Sequence, residues 1–242
     1  MNPVLGVVIL PTVIAIYTIL VLLLLDTSEI YVQYLVIIPL SYVLGAIPWG
    51  FLLSRISKGI DVRQYGSGKT GMSNVLRTAG GRIATLVFIF DITKGALVVL
   101  LARAITDSPL AEVVAALLSL VGHNWSVFLG FTGGRGLLTG FGSLLVMSPI
   151  SGLIAISSFL PITLITRYLS LGSIIGTIVA CLTLLILTIP GMPIPISDPD
   201  PIYIAYTFIA AVIILWQHRD NIRRLLRGQE QRLGQPAERL NK

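Results

Sequence analysis

The chain is 242 residues long, 55% hydrophobic and only 12% charged, with a mean hydropathy of +0.89. Soluble domains carry about 25% charged residues, so this composition excludes a soluble globular protein and predicts an integral membrane protein. The net charge of +6 sits on no soluble basic module, which excludes a nucleic-acid partner and leaves anionic lipid headgroups or anionic substrates as what the basic loops meet.

A helical span needs about 20 mostly apolar residues. In chain order, apolar windows lie at 4–25, 31–54, 83–104, 110–130, 137–149, 151–166, 171–190 and 201–217. Strand-type alternation is absent, so a β-barrel is not expected. The fold class is all-α, a polytopic transmembrane bundle of about eight spans. The pair at 137–166 is broken by Pro149 and Gly152 and reads as two short or tilted spans. The uncharged start has the look of a signal anchor, but no small-residue cleavage site follows it, so it counts as a span. The stretch 190–201 reads as a proline-rich external turn, and 229–242 as a polar, mobile tail. Cys181 is the only cysteine and there are two histidines, so neither a disulfide, a structural zinc site nor any cofactor is expected.

Charge orients the bundle. One set of alternate loops holds Arg55, Lys58, Arg63, Lys69, Arg77, Arg82, Arg135, Arg167 and the seven cations from Arg219 to Lys242, fifteen of the seventeen basic residues. The other set holds Asp26, Glu29, Asp107, Asp198 and Asp200, with Arg103 as its cation. Lys and Arg collect in cytoplasmic loops, so the first set and the carboxyl end are expected in the cytoplasm. The glycines, hydroxyls and amides gather on that same face, the composition of a site for a small anion.

The first such segment is 61–77. Its Gly66-Ser67-Gly68-Lys69-Thr70 resembles a nucleotide P-loop, but position 63 is arginine where that pattern needs glycine. Its glycines still let peptide N–H groups approach an oxyanion. Ser67, Ser73 and Asn74 add neutral donors, and Arg77 adds a fork suited to phosphate. In the second segment, 122–136, Gly133, Gly134, Arg135 and Gly136 stand before an apolar helix, whose amino end favours anions. Trp125, Phe128 and Phe131 suit the headgroup interface. Asp91 and Lys94 lie three apart on one helical face and read as an ion pair, from which Lys94 is near enough to reach substrate. At the end of the last span His218 and Asn221 share a face, a proton acceptor beside an orienting amide.

These segments resemble, in order, the bacterial acyl-phosphate:glycerol-3-phosphate acyltransferase family. The matching strings are SYVLGAIPWG (41–50), GIDVRQYGSGKTGMSNVLRTAG (59–80), DITKG (91–95), GHNWSVFLGFTGGRG (122–136), RYLSLGS (167–173) and HRDNIRRLLRG (218–228). The resemblance implies an acyltransferase membrane domain over 31–228, preceded by an added span at 1–30 and followed by a polar cytoplasmic tail at 229–242. It also implies a multi-pass protein of the bacterial inner membrane that joins acyl phosphate to glycerol 3-phosphate, giving lysophosphatidate and phosphate. By position, Ser67, Arg77 and Arg135 would contact glycerol phosphate. Ser73, Asn74, Gly66, Gly68, Gly71, Gly133, Gly134 and Gly136 would shape the phosphate sites, and Ser173, His218 and Asn221 would form the catalytic group. The family's usual GSGN-x-GATN appears here as GSGKTGMSN, and its GGKG as GGRG. Neither a G-x-S-x-G elbow nor an HxxxxD motif is present, as expected where the acyl donor is already an activated anhydride. The competing expectations are a carrier for a phosphorylated metabolite and an inactive lipid-binding relative.

Overall fold

An apolar chain can satisfy its backbone in hydrocarbon only as helices or as a closed barrel. The computed structural model describes residues 3–189 and 199–240, and these take the helical course. The proline-rich turn expected at 190–201 lies outside the described residues except for its last three positions. Helices α1 (Pro3–Leu24), α2 (Ile30–Ala46) and α3 (Trp49–Lys58) come first, followed by a short α4 (Met72–Thr78). Then come α5 (Gly81–Ile105), α6 (Pro109–Asn124), α7 (Leu137–Met147), α8 (Pro149–Thr166), α9 (Leu169–Leu187), α10 (Tyr203–Gln217) and α11 (Arg219–Leu226). Counting α2 and α3 as one rod, five helices among the described residues are long and apolar enough to cross a membrane. Three shorter apolar helices, α6, α7 and α10, join them.

One predicted window is divided and another ends earlier than hydropathy alone implied. The stretch 31–54 is divided at Ile47, whose ψ of 115° is extended, because the ring of Pro48 disfavours a helical residue before it. Gly59 then closes α3 in the left-handed conformation, its N–H donating to the Arg55 carbonyl. In the window 110–130 the α-helix ends at Asn124, and 125–136 becomes a loop with one 3-10 turn at Val127–Leu129, pinned by a bridge between Ser126 and Thr132. The expected break at 137–166 falls on Ser148, with Pro149 in the first turn of α8, where its missing N–H costs nothing.

Between membrane helices there is little hydrophobic driving force, so close backbone approach carries much of the packing. Gly95 of α5 and Gly142 of α7 do this work. A Cβ at Gly95 would overlap the Thr139 carbonyl, and one at Gly142 the Ile92 carbonyl. Ser143 Oγ donates to the Gly95 carbonyl at 3.0 Å across the same contact. Overpacking of this kind costs about 1–3 kcal/mol. Gly95→Val is therefore expected to lower the thermal unfolding midpoint in detergent, whereas Leu97→Val, at an exposed position of the same helix, is not.

The one cation of the acidic loops is accounted for at the bundle end formed by the end of α5 and the starts of α6 and α10. Arg103 grips Glu112 through two bonds of 2.8 Å, and Tyr203 donates to the same carboxylate at 2.8 Å. Helix α1 leans on α2 through Val21, Val32 and Val36, while most of its remaining surface is exposed.

Candidate active site

At the other end of the bundle the glycine-rich segments fold against one another. Asn74, at the start of α4 and almost wholly buried, organises the first of them. Its Nδ2 donates towards the carbonyls of Val62, Tyr65 and Lys69 at 2.9–3.0 Å, and its Oδ1 accepts from the Ser67 N–H at 3.3 Å. Gly66 and Gly68 turn the chain with φ of 55° and 67°, values that cost a glycine nothing. Asn74 thus shapes the loop by holding its backbone. The second segment reaches back to the first: the Thr70 N–H lies 3.5 Å from the Gly133 carbonyl. Gly134 must be glycine because a Cβ there would overlap the His123 ring. Gly136 opens α7 at φ 85°, and Gly71 holds the amino end of α4.

Beneath these loops lies a buried ionic cluster. Lys94 pairs with Asp91 at 2.9 Å, donates to the Ile47 carbonyl at 3.1 Å and contacts His123 Nδ1 at 2.9 Å. Lysine has three N–H groups and no acceptor, so all three are engaged and His123 carries its proton on Nε2. The expectation that Lys94 reaches substrate is revised on this geometry: it ties α2, α5 and α6 together from below.

A cleft opens above the cluster, about 530 Å³ counted out to its mouth. Lys69, Gly71, Ser73, Arg135 and His218 give it a polar side, and Met72, Leu137, Leu138 and Phe159 an apolar one; Ser173 lines it from α9. Ser173 Oγ donates to the Leu169 carbonyl at 2.8 Å, so its hydrogen is engaged. The chain kinks at His218, between α10 and α11. The His218 ring is held by the Ile214 carbonyl, 2.8 Å from Nδ1. A carbonyl only accepts, so Nδ1 carries the proton and Nε2 keeps its lone pair. Burial and the neighbouring charge of Arg135 push His218 down to about 4, so the ring is neutral at pH 7.

Cations crowd this end. Burial, then Arg224, brings Arg135 down to about 10; it remains charged at neutral pH. Burial and the charge of Arg135 lower Lys69, and burial lowers Arg77. Ser67 Oγ, Arg77 Nε and Arg135 Nε are buried without a partner among the described residues. Ser67 and Arg77 stand beside the cleft wall and do not line it. A cluster of desolvated cations is costly unless an anion joins it, and the arrangement therefore suits phosphate groups.

The tail expected to be mobile is instead packed across these loops. Glu230 is buried and accepts from Ser170, Asn221 and Arg224, each at 2.7 Å. Gln231 accepts from Arg77 Nη1 at 3.0 Å. The backbone of Glu238 and Leu240 bonds to Gly66 and Gln64. Neither Glu230 nor Gln231 stands out in the sequence. A glutamate in a polar tail has no periodicity to mark it, and its partners lie on other elements.

A family profile described as glycerol-3-phosphate acyltransferase matches residues 35–228. The chain belongs to the glycerol-3-phosphate acyltransferase family. Relatives of that name include one from Deinococcus radiodurans, 43% identical over 81% of this chain and 93% of that protein. Another, from Synechococcus sp., is 41% identical over 83% of this chain and 96% of that protein. The crystal structure of PlsY (YgiH), an integral membrane glycerol 3-phosphate acyltransferase, in its glycerol 3-phosphate form superposes with a TM-score of 0.73 at 35% identity. That match covers 83% of this chain and 95% of PlsY, and the lysophosphatidic acid form gives a TM-score of 0.71 at 34% identity. This acyltransferase is thus an integral membrane protein whose helices 35–228 carry the family's fold, with α1 lying ahead of the matched region.

Proposed function

We propose that this protein transfers a fatty acyl group from acyl phosphate to the 1-hydroxyl of sn-glycerol 3-phosphate, at the cytoplasmic face of the bacterial inner membrane. The observation that carries the reading is a single cleft with a crowded cationic side, an apolar side and a neutral histidine presenting a lone pair. The related PlsY has been solved with glycerol 3-phosphate and lysophosphatidic acid forms, which supports the acceptor and the product. The one-sided distribution of Lys and Arg supports the orientation. The region 31–228 would be the catalytic domain and α1 an addition to it.

An acyl phosphate is an activated anhydride, so no acyl-enzyme is needed. Ser173 fits this view, since its hydrogen is engaged by Leu169. The 1-hydroxyl oxygen attacks the acyl carbonyl, the C–O ester bond forms and the C–O bond to phosphate breaks. The hydroxyl proton passes to His218 Nε2 or to an oxygen of the departing phosphate. Arg135 and Lys69, with Ser73, line the cleft and hold the two phosphates, Arg77 and Ser67 supporting them from behind its wall, while the acyl chain lies along Met72, Leu138 and Phe159.

Two phosphates in the cleft would offset the charge of Arg135 and raise His218 from about 4. The base is active when deprotonated, so activity falls as pH drops through its pKa. The acid limb of kcat, which reports the loaded enzyme, is therefore expected at higher pH than the limb of kcat/KM. The same limits measured in His218→Asn, which lacks the titrating ring, are the check.

Purified protein incubated with palmitoyl phosphate and labelled glycerol 3-phosphate should yield labelled lysophosphatidate and one phosphate per acyl group transferred. Palmitoyl thioester in place of the phosphate should yield none. Uptake of the label into proteoliposomes without acylated product would replace this reading with a carrier.

A further inference from the structure

The buried carboxylate in the tail decides which way the Asn221 amide faces. Glu230 Oε1 accepts from Ser170 Oγ and Asn221 Nδ2, and Oε2 accepts from Arg224 Nε, all at 2.7 Å. Its side chain is 1% exposed. An ionised carboxylate is an acceptor only, so the NH₂ of Asn221 must be the end turned towards it. The other end, Oδ1, is then turned away from Glu230, buried and without a partner among the described residues. Asn221 stands on the first turn of α11, three residues after His218.

We infer that Glu230 is a positioning residue, which locks the Asn221 amide so that its Oδ1 accepts a hydrogen bond from the substrate's attacking hydroxyl. Asn221 Nδ2 commits one hydrogen to Glu230 Oε1, and Oδ1 is the end left to meet the hydroxyl. Asn221 orients the nucleophile. Glu230 lies beyond residue 228, where the family match ends, so the tail contributes to the site. The inference rests on the acyl-transfer reading above.

An exchange of the two side-chain chemistries tests it. Asn221→Asp alone sets two carboxylates against each other and should lower kcat at least 100-fold. Glu230→Gln alone leaves the Asn221 amide free to flip and should lower kcat about 10-fold, with little change in KM. In the double variant N221D/E230Q the introduced glutamine donates to the introduced aspartate, which still presents an acceptor. Its kcat should return to within about 10-fold of the unaltered protein. A double variant that unfolds at the unaltered temperature yet is as inactive as N221D overturns the inference, since an aspartate can replace an acceptor but not a donor. If the double variant does not fold, binding of propane-1,2-diol 1-phosphate, which lacks the 1-hydroxyl, decides. The unaltered protein should prefer glycerol 3-phosphate over it by about 10-fold, and Asn221→Ala should show a preference below twofold; an undiminished preference overturns the inference. Absence of lysophosphatidate from the unaltered protein would instead sink the acyl-transfer reading, before any variant is compared.

Discussion

His218→Ala is expected to reduce kcat by about 10²–10⁴-fold, the range a positioned proton acceptor supplies, with a small change in KM for either substrate. Three facts about the ring lead there. It lines the cleft, the Ile214 carbonyl holds the proton on Nδ1, and burial with Arg135 keeps it neutral, so a lone pair at Nε2 is available throughout the physiological range. His218→Asn separates chemistry from structure, because its amide N–H can still donate to Ile214 while nothing remains to take a proton. It should insert and unfold as the unaltered protein does, yet share the deficit in kcat. Turnover within threefold of normal in His218→Asn would assign the proton to the phosphate leaving group and reduce His218 to a helix-end ligand for a carbonyl. Asn221→Ala should show a comparable loss if its Oδ1 accepts from the attacking hydroxyl, as inferred above.

Arg135→Ala should instead act on binding. Hydrogen bonds to charged groups contribute about 1.5–3 kcal/mol, which is about 10- to 150-fold in the KM of a phosphorylated substrate at unchanged protein concentration. The structure adds a second, opposite expectation. Arg135 is crowded by Arg77 and Arg224, and burial lowers its affinity for its own proton; its Nε has no partner among the described residues. Removing it should leave thermal stability of the empty protein unchanged or raised. A cation kept for structure would behave the other way, as Lys94 should, whose loss would strand Asp91 and His123 in the interior. Arg135→Lys should retain most activity because the charge is preserved. Equal falls in stability and affinity in Arg135→Ala would show that the cluster is structural.

The contrast between Lys94 and Arg135 illustrates what a sequence can and cannot convey. Both are cations beside glycine-rich loops, and both were expected to reach substrate. The structure engages all three donors of Lys94, one of them with His123, 29 residues away, and leaves Arg135 Nε free. Similarly, His218 and Asn221 were legible from their spacing, but the orientation of the amide was not. It depends on Glu230, and through it on Ser170, 60 residues distant. Arg77 meets Gln231 across 154 residues, and no local pattern announces such a meeting. The division of 31–54 into two helices was legible in principle, since Pro48 constrains Ile47.

By itself the sequence determined the membrane class, the eight apolar segments, the one-sided gathering of cations and the family. Each of these is a sum over many residues or a string of adjacent ones, and hydropathy, charge and motif order survive without coordinates. Only the tertiary structure decided which polar groups are free to act. Whether a buried donor is available depends on the partner it meets, and those partners arrive from helices and loops far away in the chain.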